Sequence, residues 1–133
     1  MRKIVFILLS ILLLSCSISD DSSTPPSSAK WNLINITGGI SGTEIVLDRG
    51  QITWVFDEAN SILIIEEIAE GLPDGLIKGD HTFSIENINN DDFIFIDGVE
   101  YGSIAIGSNT FTIDQNVTST GSASDLYIFK FVR

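Results

Sequence analysis

Chemistry in this chain would have to be built from one thiol, one imidazole and a surplus of carboxylates. The sequence holds a single Cys (Cys16), a single His (His81) and 18 acidic residues. A Ser-His-Asp hydrolase would have to use His81, which follows Gly79-Asp80 at an expected strand start, and no Ser sits in a nucleophile-elbow sequence. His81 is therefore read as an exposed turn residue. Carboxylate pairs for glycoside hydrolysis exist by number, but nearly all Asp and Glu fall in turn-forming stretches, where they are simply solvated. Asp91, Asp92 and Asp97 could offer oxygens to a hard cation, although their spacing is not that of an EF-hand loop. One Cys and one His exclude an internal disulfide, a thiolate zinc site and the multi-His metal centres. The chain is read as a non-enzyme with no cofactor and no metal.

At 133 residues the chain supports one domain, and its formal charge of −11 comes with no basic cluster. That excludes nucleic-acid binding through phosphates. The position of Cys16 is more informative than its reactivity. Met1-Arg2-Lys3 is a short positive segment, and Ile4 to Leu14 is an apolar run interrupted only by Ser10. The run is too short to cross a hydrocarbon core of ~30 Å as a helix, but it suits a signal-peptide core. It ends in Leu13-Leu14-Ser15-Cys16, which resembles the bacterial lipobox. A small residue before the cysteine gives a peptidase access to the backbone, and the thiol then takes a diacylglycerol. The expectation is a leader over 1–15, with Cys16 as the lipidated (diacylglyceryl and palmitate-type) N-terminus. Loss of Arg2 and Lys3 would take the charge from −11 to −13.

Residues 17–30 carry one large apolar side chain, Ile18, among Ser, Asp, Thr, Pro and Lys. Such a segment cannot bury enough surface to offset ordering entropy and is read, with Cys16, as a flexible stalk. Asp20-Asp21 soon after the lipid cysteine resembles the acidic export tag of surface lipoproteins in Bacteroidetes-type bacteria. Ser17 is not the Asp that marks inner-membrane retention. The expected place is the outer membrane, on its periplasmic or cell-surface face.

From Trp31 to Arg133 no stretch keeps a helical period for more than two turns, and short alternating runs are separated by turn residues. Ile52, Trp54 and Phe56 share one face of a strand over 51–56. Phe83 and Ile85 point together in 81–86, Phe111 and Ile113 in 110–114, and Phe129 and Phe131 with Tyr127 in 126–132. Further strands are expected at 31–37, 44–47, 62–68, 93–97 and 101–106. A helical turn is expected between Glu66 and Asp80. Asp97-Gly98 predicts a tight hairpin. The expected fold is all-β: an antiparallel up-and-down barrel of eight or nine short strands, monomeric, with a two-sheet β-sandwich as the alternative.

Several segments resemble the small lipocalin-like lipoproteins of Bacteroidetes-type bacteria. They are Lys30-Trp-Asn-Leu-Ile-Asn-Ile-Thr-Gly-Gly-Ile-Ser-Gly42, Gly50-Gln-Ile-Thr-Trp-Val-Phe56, Gly98-Val-Glu-Tyr-Gly102, Ile113-Asp-Gln-Asn116 and Phe129-Lys-Phe-Val-Arg133. The resemblance implies a small barrel with an apolar interior. It also implies that Trp31 plugs one end beneath a cation–π contact from Arg133 or Lys130. Ala29 stands where the lipocalin signature has Gly. Two functions follow. In one, Ile52, Trp54, Phe56, Phe83, Ile85, Phe111, Ile113, Phe129 and Phe131 line a cavity for a small apolar or amphipathic ligand. In the other, these residues pack one another, and the loops Gly38–Thr43, Glu66–Asp80 and Gln115–Asp125 meet a protein or glycan partner.

Overall fold

The computed structural model describes residues 29–67, 71–72 and 78–133. Cys16 and residues 17–28 of the expected stalk lie outside the described residues, whereas Ala29 packs against the core and Lys30 opens β1, so the barrel starts before the expected boundary at Trp31. Most of the segment between Glu66 and Asp80, where a helical turn is expected, also lies outside them. The alternating runs form strands, and among the described residues there is no helix. In chain order the strands are β1 (Lys30–Gly38), β2 (Thr43–Val46), β3 (Ile52–Asp57), β4 (Ile62–Glu67), β5 (Gly79–Ile88) and β6 (Asp91–Ile96). They continue with β7 (Val99–Ile106), β8 (Thr110–Asp114), β9 (Val117–Thr118), β10 (Gly121–Ser122) and β11 (Tyr127–Val132).

Each strand from β3 to β8 pairs antiparallel with the next, β8 pairs with β11, and β11 closes onto β1. The result is a closed eight-strand barrel with β2 as an extra strand, not a two-sheet sandwich. One edge of β1 receives β11. Its other edge receives β3 against Lys30–Asn32 and β2 against Asn35–Gly38, so the pair behaves as one strand interrupted at 47–51. Closure removes the open edges that an eight-strand sheet would otherwise present.

Turn chemistry sets the registers. Asn89 and Asn90 (φ 56° and 72°) and Asp97 and Gly98 (φ 51° and 77°) make two-residue links with left-handed backbone at both positions, the form that matches strand twist. Two bulges adjust the phase. Ile34 is an extra residue of β1 opposite β11, so the inward set runs Trp31, Leu33, Ile36 and skips residue 35. In β7 the register shifts where Phe95 faces Glu100 and Ile94 faces Gly102, which leaves Tyr101 as the inserted residue.

The core is dominated by rings. Trp54 packs on Phe131 at 4.8 Å between centroids, Phe56 on Phe83 at 5.0 Å, and Phe111 on Phe131 at 5.1 Å. Leu33, Ile36, Ile52, Leu63, Ile65, Ile94 and Ile113 fill the gaps between rings. Each such aliphatic burial stabilises by about 1.5–3 kcal/mol relative to exposure. The cost is polar: the indole N–H groups of Trp31 and Trp54 are buried without an acceptor among the described residues.

Antiparallel order gives the barrel two distinct ends. The chain enters at the end where Trp31 packs on Phe111 and the Arg133 guanidinium lies 4.7 Å from the Trp31 ring centroid. Lys130 is exposed on the outer face instead. The turns at 58–61, 89–90 and 107–109 share this end. The opposite end carries the turns at 39–42 and 97–98, the 115–126 excursion and both ends of the segment joining β4 to β5.

Candidate functional site

Eight of the nine inward positions singled out by alternation (Ile52, Trp54, Phe56, Phe83, Phe111, Ile113, Phe129 and Phe131) are buried, and Ile85 is half-buried. They touch one another. Three surface clefts stand out, and of the nine only Phe83 and Ile85 reach one, a shallow groove with Glu58, Ser61 and Ser84 on its rim.

His81 departs from the expectation of an exposed turn. β5 begins two residues earlier, at Gly79, so His81 is a strand residue with its side chain only 11% exposed. Its Nδ1 lies 2.7 Å from Asp97 Oδ2, while the backbone N–H and hydroxyl of Thr82 donate to Asp97 Oδ1 at 2.9 and 3.2 Å. The turn aspartate thereby ties the β6–β7 hairpin to β5. These donors, the His81 hydrogen bond first and the Thr82 N–H next, hold the Asp97 carboxyl below its ordinary value of 3.8. A carboxylate so depressed stabilises the fold above its unfolded pKa, and that contribution disappears as pH falls through the lower folded value. Asp97→Asn should therefore melt below the parent at pH 7, and the gap should close as pH drops below about 4. Thermal melts across that range check it, and a gap independent of pH would contradict the assignment.

The three aspartates considered as a cation site are not brought together. Asp91 and Asp92 begin β6 and Asp97 follows its other end, about five residues of extended chain away, or roughly 16 Å. Asp92 is also taken up by the Asn87 amide at 2.7 Å.

The most organised polar cleft lies at the loop end, opposite the point where the chain enters. Past Asp114 the chain leaves β8 and forms the β9–β10 hairpin, where the sequence predicts a loop. Asn116 staples its base: its backbone N–H and amide donate to Asp114 Oδ1 at 2.8 and 3.0 Å, and its Oδ1 accepts from Leu126 N–H at 3.0 Å. At the tip, Ser119 donates its N–H and hydroxyl to the two oxygens of Glu100 at 2.7 and 2.5 Å. The hairpin is thus held against the bulged start of β7. Between them is a cleft of about 320 Å³ lined by Glu100, Tyr101, Gln115, Thr118, Thr120 and Leu126, with Gly102 at its floor. The bulge turns the Tyr101 ring inward onto Phe129 (5.7 Å, 30°) and Trp54 (6.1 Å), so the wall of the cleft is continuous with the core.

Alternation does not reveal these residues, because the hairpin strands are two residues long and polar. The available signal was Gly102 inside a strand, which often marks a bulge or a close backbone approach. The loop end also exposes apolar side chains: Ile40 (92%), Val99 (69%), Leu126 and Val117. Two of its segments meet directly, Gly39 N–H donating to Leu126 C=O at 3.0 Å. No family model matches this chain, and comparison with curated proteins and with solved structures likewise returns no match.

Proposed function

We propose that this chain is a lipid-anchored, lipocalin-like lipoprotein of a bacterial outer membrane, non-catalytic, whose filled barrel holds a recognition surface away from the membrane. The observation that carries the reading is the interior itself. The positions that would line a ligand cavity are occupied by rings in mutual contact, Trp54, Phe56, Phe111 and Phe131 among them, each at most 1% exposed. A ligand pocket in a barrel of this size needs ~300 Å³ or more of free interior. Recognition then falls to the loop end, where Ile40, Val99 and Leu126 are exposed and the 115–126 hairpin is held in place. A protein or glycan partner suits that surface. The tether would join at the other end, through Cys16 and the residues that lead to Ala29, so the two roles do not compete for space.

A second reading, a small amphipathic ligand inside the barrel, draws on the two buried indole N–H groups without acceptors. A ligand oxygen or a water could satisfy them. Native mass spectrometry of protein taken from its own envelope, with titration of a fluorescent fatty acid, separates the two. No co-purified lipid and no saturable uptake supports the filled barrel, whereas a stoichiometric bound lipid would overturn it.

The anchor has its own test. Cys16→Ala should move the protein from the membrane fraction to the soluble fraction, with an unchanged melting temperature. Two or three acyl chains at ~0.8 kcal/mol per buried CH₂ make a durable tether, and Cys16 is not among the residues that pack the described barrel. Mass spectrometry of the parent should find Cys16 as an acylated N-terminus. An unmodified N-terminal peptide from the membrane fraction would exclude the lipid anchor.

A further inference from the structure

We infer that the cleft between the β9–β10 hairpin and the start of β7 binds an uncharged pyranose, alone or as the end of a glycan. This deepens the proposed loop-end recognition and rests on it.

Among the described residues no Lys, Arg or His lines the cleft, and Glu100 does, so an anionic ligand would meet a carboxylate with no cation of that lining to offset it. A wholly apolar ligand would strip water from Glu100, Gln115, Thr118 and Thr120 without replacing its hydrogen bonds. A metal ion would find one carboxylate in the lining, and no group of three or more metal-ligating side chains occurs among the described residues. What fits is a neutral molecule with alternating hydroxyls and one C–H-rich face.

The cleft matches both halves of that description. Gln115 Oε1 is occupied by the Tyr127 N–H at 3.4 Å, which leaves its amide hydrogens to donate. The Thr118 and Thr120 hydroxyls lie 3.5 Å apart and can each donate or accept. Glu100 is held by Ser119 before any ligand arrives, and its remaining lone pairs can take sugar hydroxyls without reorganisation. Leu126, 40% exposed, and Tyr101 in the lining supply the apolar side. The volume, about 320 Å³, is at the lower limit for small-molecule sites and suits one or two sugar rings.

The test uses the full-length chain in detergent and ligand-observed saturation-transfer NMR. The probes are D-glucose, D-galactose and N-acetyl-D-glucosamine, with D-glucuronate and D-glucosamine as the anionic and cationic arms. At least one neutral sugar should bind saturably with Kd of ~1 mM or tighter. Thr120→Phe, which fills the cleft from an exposed position, should weaken that binding at least ~10-fold with an unchanged melting temperature. Gln115→Ala provides a second variant should the first perturb the hairpin. Lack of saturable binding by any neutral sugar, equal binding by Thr120→Phe, or preference for glucuronate or glucosamine each overturns the inference. The filled-barrel reading fails by a different result, a lipid found inside the barrel, so the two failures cannot be confused.

Discussion

Trp54→Ala should cost about 3–5 kcal/mol, the largest loss expected of any single truncation in this barrel. Trp54 is 1% exposed and its ring touches Phe56, Tyr101 and Phe131, so one side chain joins β3 to β7 and β11 across the interior. Removing it leaves a hole that the closed barrel cannot collapse around, because every wall strand is bonded on both sides. In a domain of this size 1 kcal/mol shifts the midpoint by roughly 4–8 °C. The variant should therefore melt at least ~12 °C below the parent or fail to fold. Trp54→Phe separates packing from polarity. It loses volume but also removes the unpaired indole N–H, and should cost distinctly less. Urea melts of both variants check the ordering. An alanine variant as stable as the phenylalanine one would mean that the Trp54 ring does not fill the core.

Gly102→Ala should cost about 2–4 kcal/mol, a large loss for a change that adds a single methyl group. Gly102 has φ +152°, and a Cβ built on it would stand 2.7 Å from the carbonyl oxygen of Asp114. Backbone lies on the far side of that contact, so no side-chain rotation can relieve it. The bulge at Tyr101 and the departure of the chain from β8 both depend on this close approach. Gly98→Ala is the control: its φ is also positive, but the added Cβ meets nothing within 4 Å. It should cost only ~1–2 kcal/mol. Equal losses at the two positions would show that φ, and not the Asp114 contact, governs the effect.

Much of the barrel was legible from local pattern. Asp97-Gly98 announces its hairpin because few other pairs tolerate left-handed backbone twice in succession, and Thr110–Asp114 is bounded by turns on both sides. Legibility failed where one residue changes the phase. Nothing in Leu33-Ile34-Asn35-Ile36 says that Ile34 is the extra residue, since Leu, Ile and Ile would suit either face. His81 departs from the expected turn because Gly79, a residue typical of turns, here opens strand β5 itself. The loop-end cleft was out of reach for a different reason. It depends on Ser119 meeting Glu100, a contact between a turn and a strand that no periodicity encodes.

The β1–β11 seam has a consequence for biogenesis. Asn32 donates to the Val132 carbonyl across 100 residues, and the two strands pair from Asn32 to Gly38. A nascent chain would display β1 well before β11, its closing partner. Until then one long edge of β1 and the growing edge of the sheet both stand open to other chains. High contact order of this kind slows folding relative to local topologies. During that interval, the dense negative charge on an otherwise sticky half-barrel would act through mutual repulsion between chains, keeping unfinished copies apart until β11 arrives.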